Sequence, residues 1–600
     1  MQFNKQQQKA IDFLEGACAV IAGAGSGKST VLVNRINNLI DNGVNENDII
    51  ATSFTRNSAN DLKGKLNKLG IKGVTTGTFH SICNKILMIE GIDTSKKLKE
   101  YEIENIFKKA NNNEKVDWKD IIAFISYQKN YMITHDGEFV YKDSKYSEIE
   151  LRKFFKIYEI EKKKLKAYDW DDVLLEGYKV LLNNPSKYTC KYILVDEHQD
   201  SNLIQNKLIK LLCPSDNVFC VFDYRQAIYT FRGGNPEYCM NFSKEYTNAK
   251  VINLDINYRS SSNIVKNANN FIKRYYGTYE HYSDSIPSSK MDTRTEVISS
   301  CDTIEESESI INKIKEYKKN GVKANDIAIL YRLNSQTDCV QNELQKNRID
   351  YFIDSEGGFF KRKEIDMVMC VLRLIHNPSD NIAYETLHRQ RITPFKFLKK
   401  EVIENIVKTS AKMNISFLDA SEVVRTEKAW QSSNLKDFSN SISKLSRQHK
   451  QGVSLEKLVE NVLNLLQISE FIKLNYSNEE DIEDRLNSIE NFKKFMRSNT
   501  LETFIQYVYE KNKFQKNNNE DKIQLMTIHK AKGLEFKIVF IVGVEDGKFP
   551  HKKADIEDEA RLFYVAITRP KEDLYISQIS EENRFVEEYI NEVSNESKAS

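Results

Sequence analysis

The chain lacks the usual marks of a membrane, secreted or metal-cluster protein. None of its 600 residues lies in a stretch approaching the roughly twenty apolar residues that cross a bilayer. The opening segment, MQFNKQQQKAIDF, is polar and helical in pattern, without the apolar core of a signal peptide. Its nine cysteines are scattered, with none after Cys370 and no CxxC or other metal-ligand spacing. That pattern fits reduced, mostly buried thiols in a cytoplasmic protein and excludes a disulfide framework. A formal net charge of only +2 means the whole-chain field announces no polyanionic partner, so any such contact must come from a local groove. There is no tandem repeat, and the one low-complexity piece, KNNNE (Lys516–Glu520), reads as a surface crossing.

What is present is an ordinary globular composition, 40% apolar and 29% charged, in a chain too long for one core. Short apolar runs bounded by polar turns predict buried strands at Cys18–Ala22, Ile49–Phe54, Tyr192–Val195 and Val218–Phe222. A second set is Val251–Leu254, Ile327–Tyr331 and Ile538–Val542. Helical patterns alternate with both sets, which predicts an α/β fold with two parallel-sheet lobes. Each lobe is interrupted by a mainly helical insertion. The predicted division is a first lobe at 1–90 and 166–250 enclosing residues 91–165, and a second at 251–380 and 516–600 enclosing 381–515.

The run AGAGSGKST (Ala22–Thr30) follows a predicted strand and opens an amphipathic helix. Gly23, Gly25 and Gly27, with Ala22, Ala24, Ser26 and Thr30 around them, let backbone N–H groups wrap phosphate oxygens at a helix N-terminus. Lys28 would pair with the outer phosphates of ATP and Ser29 would bind Mg²⁺. YILVDEHQD (Tyr192–Asp200) supplies the other half: an apolar strand ending in acids puts Asp196 beside Mg²⁺ and Glu197 where it can polarise a water. At the far end, TIHKAKGLEF (Thr527–Phe536) and YVAITRP (Tyr564–Pro570) hold polar residues in apolar, strand-like surroundings. If Lys28 and Arg569 meet on one phosphate, ATP sits between two lobes and its hydrolysis can move them.

In order along the chain, these segments resemble the superfamily-one DNA helicases of the UvrD/Rep/PcrA type. FNKQQQKA (Phe3–Ala10) is similar to the family's glutamine motif, SFTRNSANDLKGKL (Ser53–Leu66) to motif Ia, and TGTFHSIC (Thr76–Cys83) to its GTFHS element. YDWDDVL (Tyr168–Leu174), FDYRQAIYTFRGG (Phe222–Gly234) and LDINYRSSSNIV (Leu254–Val265) resemble the DFDDL segment and motifs III and IV. GGFFKRKEIDMVMCVLRLIHNPSD (Gly357–Asp380) resembles the lead-in to the second insertion. The stretches Leu525–Pro550 and Asp558–Ser577 resemble motifs V and VI. The resemblance implies two RecA-like lobes, each with a helical insertion. It implies that Gln7 reads the adenine edge, Tyr258 stacks on it, and Glu535 holds the ribose. Gln226 would sense the γ-phosphate, Arg259 would reach it, and Arg569 would act as an arginine finger.

The same resemblance implies a single-strand DNA track. Motif Ia offers Phe54, Thr55 and Arg56; GTFHS offers Thr78, Phe79 and His80; motif III offers Tyr229, Phe231 and Arg232. Phe54 and Phe231 would stack bases, Thr55 and Thr78 would touch backbone, and His529 would relay between DNA and ATP. A lone Phe ordinarily packs in a core, and for Phe79 the two readings compete evenly. The lysine run EKKKLK (Glu161–Lys166) reads as a solvated helix face. Motif III departs from the family: Phe222 stands where Gly is frequent, Tyr224-Arg225 where acids are common, Ala227 for Ser and Phe231 for Trp. His198 falls at a variable position and Pro570 where Ala is common. The expectation is a compact ATP-dependent 3′→5′ translocase and helicase, without the nuclease domain or C-terminal extension of larger members. It would act on single-stranded and 3′-tailed duplex DNA and associate with the nucleoid, with a nuclease or loading protein as possible partner. The alternatives are a DNA-stimulated ATPase that remodels protein–DNA complexes and a motor subunit with weak unwinding of its own. An RNA substrate also stays open.

Overall fold

The computed structural model describes residues 3–112, 116–140, 144–353, 358–426, 428–476, 478–495, 500–514, 521–579 and 582–591. The KNNNE segment lies outside them. Two six-stranded sheets, parallel throughout, carry the fold.

The first sheet has the order β3-β2-β4-β5-β1-β6. Its strands are β1 (Cys18–Ala22), β2 (Ile49–Thr52), β3 (Thr75–Gly77), β4 (Tyr192–Val195), β5 (Val218–Phe222) and β6 (Lys250–Leu254). Strands β1, β2, β4 and β5 are buried along their whole length, as continuous apolar runs in a sheet covered on both faces should be. One expectation is corrected here. Val251–Leu254 was grouped with the second set, but β6 pairs with β1 from Cys18↔Lys250 to Ala22↔Leu254 and closes the first sheet's edge. An apolar run fixes that a strand forms, not which sheet accepts it. Beyond β6, β7 (Ile256–Asn257) pairs with β8 (Ile286–Pro287) in a two-stranded ribbon.

The second sheet, β11-β12-β10-β13-β14-β9, is built from β9 (Thr295–Ser300), β10 (Ile327–Tyr331), β11 (Tyr351–Ile353), β12 (Ile523–Thr527), β13 (Phe536–Val544) and β14 (Pro570–Ile579). The outer strands β3, β9 and β11 escaped the sequence pattern because they are short or half-polar (TTG, TEVISS, YFI). YVAI, read as strand-like, is the last turn of helix Ile556–Ile567; the strand begins at Pro570. Every residue of that helix from Glu559 to Ile567 is buried, so its continuous apolar run mimics a strand.

Both interruptions are helical. Helices Glu100–Ala110, Trp118–Asn130 and Glu148–Lys164 share a small core around Phe107, Ile121, Phe154 and Tyr158. The solvated reading of EKKKLK holds for Lys163, Lys164 and Lys166 but fails at Lys162, which is buried. Lys162 and Lys129 share Asp169 and Asp172 at 2.5–2.9 Å, stapling the insertion to helix Trp170–Asn183 of the first lobe. The larger helical body begins earlier than residue 381. Helix Lys363–His376 is buried on nearly every side and forms the spine of the apolar cluster that includes Tyr384, Phe438, Leu458 and Phe492. Helix Glu479–Lys494 pins this body to the second lobe: Asp484 Oδ1 accepts the Ser335 N–H at 2.6 Å, and Glu480 pairs with Arg332 at 2.5 Å.

Candidate functional site

An open cleft of about 1280 Å³ runs between the two sheets, lined from both. On the first side, β1 delivers the glycine loop. Gly27 caps helix Lys28–Asp41 with φ 85° and no side-chain cap, so the first helical N–H groups are left for a ligand. Gly25, at φ 68°, touches the other side: a Cβ there would lie 2.6 Å from Arg259 Cβ. Two bonds reinforce that approach and a third braces the loop. The Tyr258 N–H donates to Gly25 O at 2.9 Å, Asn257 Nδ2 to Ala24 O at 2.9 Å, and Gln7 Nε2 to Ser26 O at 3.1 Å. Gln7 thus braces the loop from behind, its Oε1 accepting the Asn4 N–H, and it lies outside the cleft lining where an adenine reader was expected. Tyr258 is half exposed and lines the cleft, with its hydroxyl accepting from Asn4 Nδ2 at 2.8 Å.

Strand β4 ends on the acids. Asp196 Oδ1 is buried without a hydrogen-bond partner. Burial and then the neighbouring Glu197 push its carboxyl well above the usual carboxylate range. Burial would raise Glu197 too, but Lys28, Lys532 and Arg569 outweigh it and hold that carboxyl below the usual range. An orphaned buried oxygen beside Lys28 and Ser29 is what a divalent cation would complete, so the residues present fit Mg²⁺.

From the second side come Arg259, Glu535, Arg569 and two lysines that sequence reasoning missed. Glu535 is held by both Arg259 at 2.8 Å and Lys571 at 2.7 Å. Arg569, 2% exposed, donates Nη2 to Gln226 Oε1 at 2.9 Å and Nε to Val565 O at 2.9 Å. Burial and then Arg259 pull its guanidinium down to about 9. Lys532 crosses the cleft to Asp200 Oδ2 at 2.5 Å and Gln226 O at 2.7 Å. It stands in KAKGLEF as an ordinary lysine, and only the fold sets it apart.

Next to this centre lies an aromatic ladder. Phe54 stacks on Tyr229 with centroids 5.1 Å apart, Tyr229 meets Phe231 at 6.1 Å, and Phe231 meets His529 edge-on at 5.9 Å. Arg232 lies over both Tyr229 and Phe231. Phe231 is 54% exposed. Burial and then Arg332 push His529 down to about 4, so it is neutral at physiological pH. Phe79 is a correction: at 5% exposure it belongs to the main apolar core. Thr55 and Thr78 serve as N-caps, accepting from Ser58 N and Ser81 N. Arg56 and His80 instead gather at Trp170, another residue the motif reading left without a role. Its half-exposed ring has Lys97 at 4.7 Å, Arg56 at 5.8 Å and His80 edge-on at 6.3 Å. Burial, with Lys97 and Arg56, pushes His80 to about 4. Of the nine cysteines, Cys301 alone is exposed. No helix among the described residues is long and apolar enough to cross a membrane.

Residues 3–247 match the family model for the UvrD/REP helicase N-terminal domain, and residues 252–581 that for the UvrD-like helicase C-terminal domain. The chain is 31% identical to the ATP-dependent DNA helicase PcrA of Bacillus subtilis, over 96% of this chain and 82% of that protein. It is 30% identical to the ATP-dependent DNA helicase Rep of Buchnera aphidicola subsp. Acyrthosiphon pisum, over 96% and 95%. It is 33% identical to Rep of Buchnera aphidicola subsp. Baizongia pistaciae, over 96% and 91%.

Proposed function

Because the chain belongs to the UvrD-like helicase family, we propose that it is an ATP-dependent DNA helicase that moves 3′→5′ along one strand. The observation that carries this reading is the 2.9 Å bond from Arg569, immediately before β14 of the second sheet, to Gln226, just beyond β5 in the first. It joins the two lobes beside the phosphate loop and one step from the aromatic ladder.

ATP is held by the loop amides and Lys28, with Tyr258 at the base and Glu535 at the ribose. Ser29 and Asp196 would hold Mg²⁺, which would neutralise charge developing on the phosphates. Glu197, kept ionised by its cations, orients and polarises the attacking water. Arg569 and Arg259 offset charge on the transferring group; an arginine in that place contributes roughly 10³–10⁵ in rate. Gln226 senses the phosphate and passes its state to Tyr229 and Phe231, with His529 between the two sites. Alternating grip at Phe54 and Phe231 moves the strand, and stacking makes that grip nearly blind to sequence. Opening a base-pair step costs about 1.4 kcal/mol, well below what one ATP supplies.

The test is ATP-driven unwinding of matched 3′-tailed and 5′-tailed duplexes, with Lys28→Ala as control. Activity confined to the 3′ tail is expected. Equal activity on both tails overturns the polarity. DNA-stimulated ATPase without unwinding of either tail replaces the helicase reading with protein–DNA remodelling.

A further inference from the structure

Arg225 stands where the family resemblance leads one to expect an acid, and the fold has buried it: it is 3% exposed and Asp223 is fully buried beside it. Among the described residues Arg225 alone forms an ion pair with Asp223, through Nε and Oδ1 at 2.7 Å. The other carboxylate oxygen, Oδ2, accepts from Gln226 Nε2 at 2.7 Å, and Gln226 Oε1 is thereby turned to Arg569. The Asp223 N–H donates to Gln199 Oε1 at 3.1 Å, while the amide of Gln199 donates to Glu197. Asp223 is therefore the node between the acid and the arginine of the cleft. Arg225 is anchored in turn by Ser283 O at 3.3 Å, and its Nη2 lies 3.1 Å from where a Cβ on Gly23 would sit.

We infer that Arg225 is a positioning residue that neutralises Asp223, so that Gln226 bridges to Arg569 as a neutral amide and the arginine stays available to the cleft. A buried carboxylate without its own cation draws in the nearest one. Arg569, already linked to Asp223 through Gln226, is placed to answer that charge, and a direct Asp223–Arg569 pair would withdraw it from the transferring phosphate. Arg225 packs beside Gly23, but its side-chain bonds go to Asp223 and Ser283 O, so the loop amides and Lys28 that bind the ground state keep their own arrangement. The loss should therefore fall on the chemical step rather than on nucleotide binding.

The inference rests on reading the cleft as the site of ATP hydrolysis. It is tested by steady-state ATPase with single-stranded DNA. Arg225→Gln should lower kcat at least about 10-fold with KM for ATP within about 3-fold of wild type. Adding Asp223→Asn removes the stranded charge and should return most of the lost kcat. Arg225→Lys keeps the charge and should stay within about 3-fold of wild type, which serves as the test if Arg225→Gln does not fold. An unchanged kcat in Arg225→Gln, no rescue by Asp223→Asn, or a collapse of kcat in Arg225→Lys overturns the inference alone. A wild-type protein without DNA-stimulated ATPase overturns the reading of the cleft and this inference with it.

Discussion

Glu306 offers a stability test that does not depend on the reaction. It lies in helix Thr303–Lys319 at 1% exposure, with Oε1 accepting the Gly543 N–H of β13 at 2.8 Å. Burial pushes its carboxyl up from the ordinary 4.5 to about 7. A group with a raised folded pKa holds its proton more tightly folded than unfolded. Its contribution is intact below about pH 4.5 and lost as pH climbs through about 7. Proton linkage puts the loss at about 1 kcal/mol near pH 5 and about 3 kcal/mol near pH 8. Glu306→Gln keeps an acceptor for Gly543 and cannot ionise, so it should escape that loss. The variant should stay within about 1 kcal/mol of wild type near pH 5 and exceed it by about 3 kcal/mol near pH 8. In thermal unfolding the gap in Tm should widen by roughly 5–10 °C between those conditions for a unit of 150–250 residues. Parallel curves across the range, or a gap that narrows as pH rises, would refute the reasoning.

Lys28→Ala and Glu197→Gln should each bind single-stranded DNA normally and lose ATP turnover; normal ATPase in both would remove the site assignment. Phe231→Ala should weaken single-strand binding by about 1–3 kcal/mol regardless of base sequence, read by fluorescence anisotropy. Phe79→Leu should lower Tm while leaving that affinity unchanged, and the reverse pattern would restore Phe79 as a stacking residue. Lys129→Met leaves Asp169 and Asp172 with one cation instead of two. It should cost about 3–5 kcal/mol in the first lobe's unfolding, and an unshifted transition would count against the staple.

Local motifs were legible because each is a short contiguous run whose chemistry depends on spacing: a strand, a glycine turn, a lysine, then a helix. Assembly was not. Val251–Leu254 looks the same whichever sheet accepts it, and only the register against Cys18–Ala22 decides. Lys162 looks like Lys163 and Lys164 in a charged run, yet it faces inward to Asp169 and Asp172. Lys532 and Trp170 gain their meaning from partners more than a hundred residues away, Asp200 and Arg56. Phe79 was undecidable because a ring beside a capping threonine suits a core and a groove equally well; burial settles it as core.

The edge strand β6 has a mechanical consequence. It is zipped to the strand that ends in the glycine loop, and the chain passes directly from it to Tyr258 and Arg259, with Tyr258 still bonded to Gly25. The second lobe is therefore tethered within one hydrogen bond of the glycine loop, so on the proposed reading any swing of that lobe would pivot at the nucleotide. Such a tether favours rotation about it over separation of the lobes. A small rotation at the loop would then be magnified with distance, and the helical body pinned to the second lobe would be carried along with it.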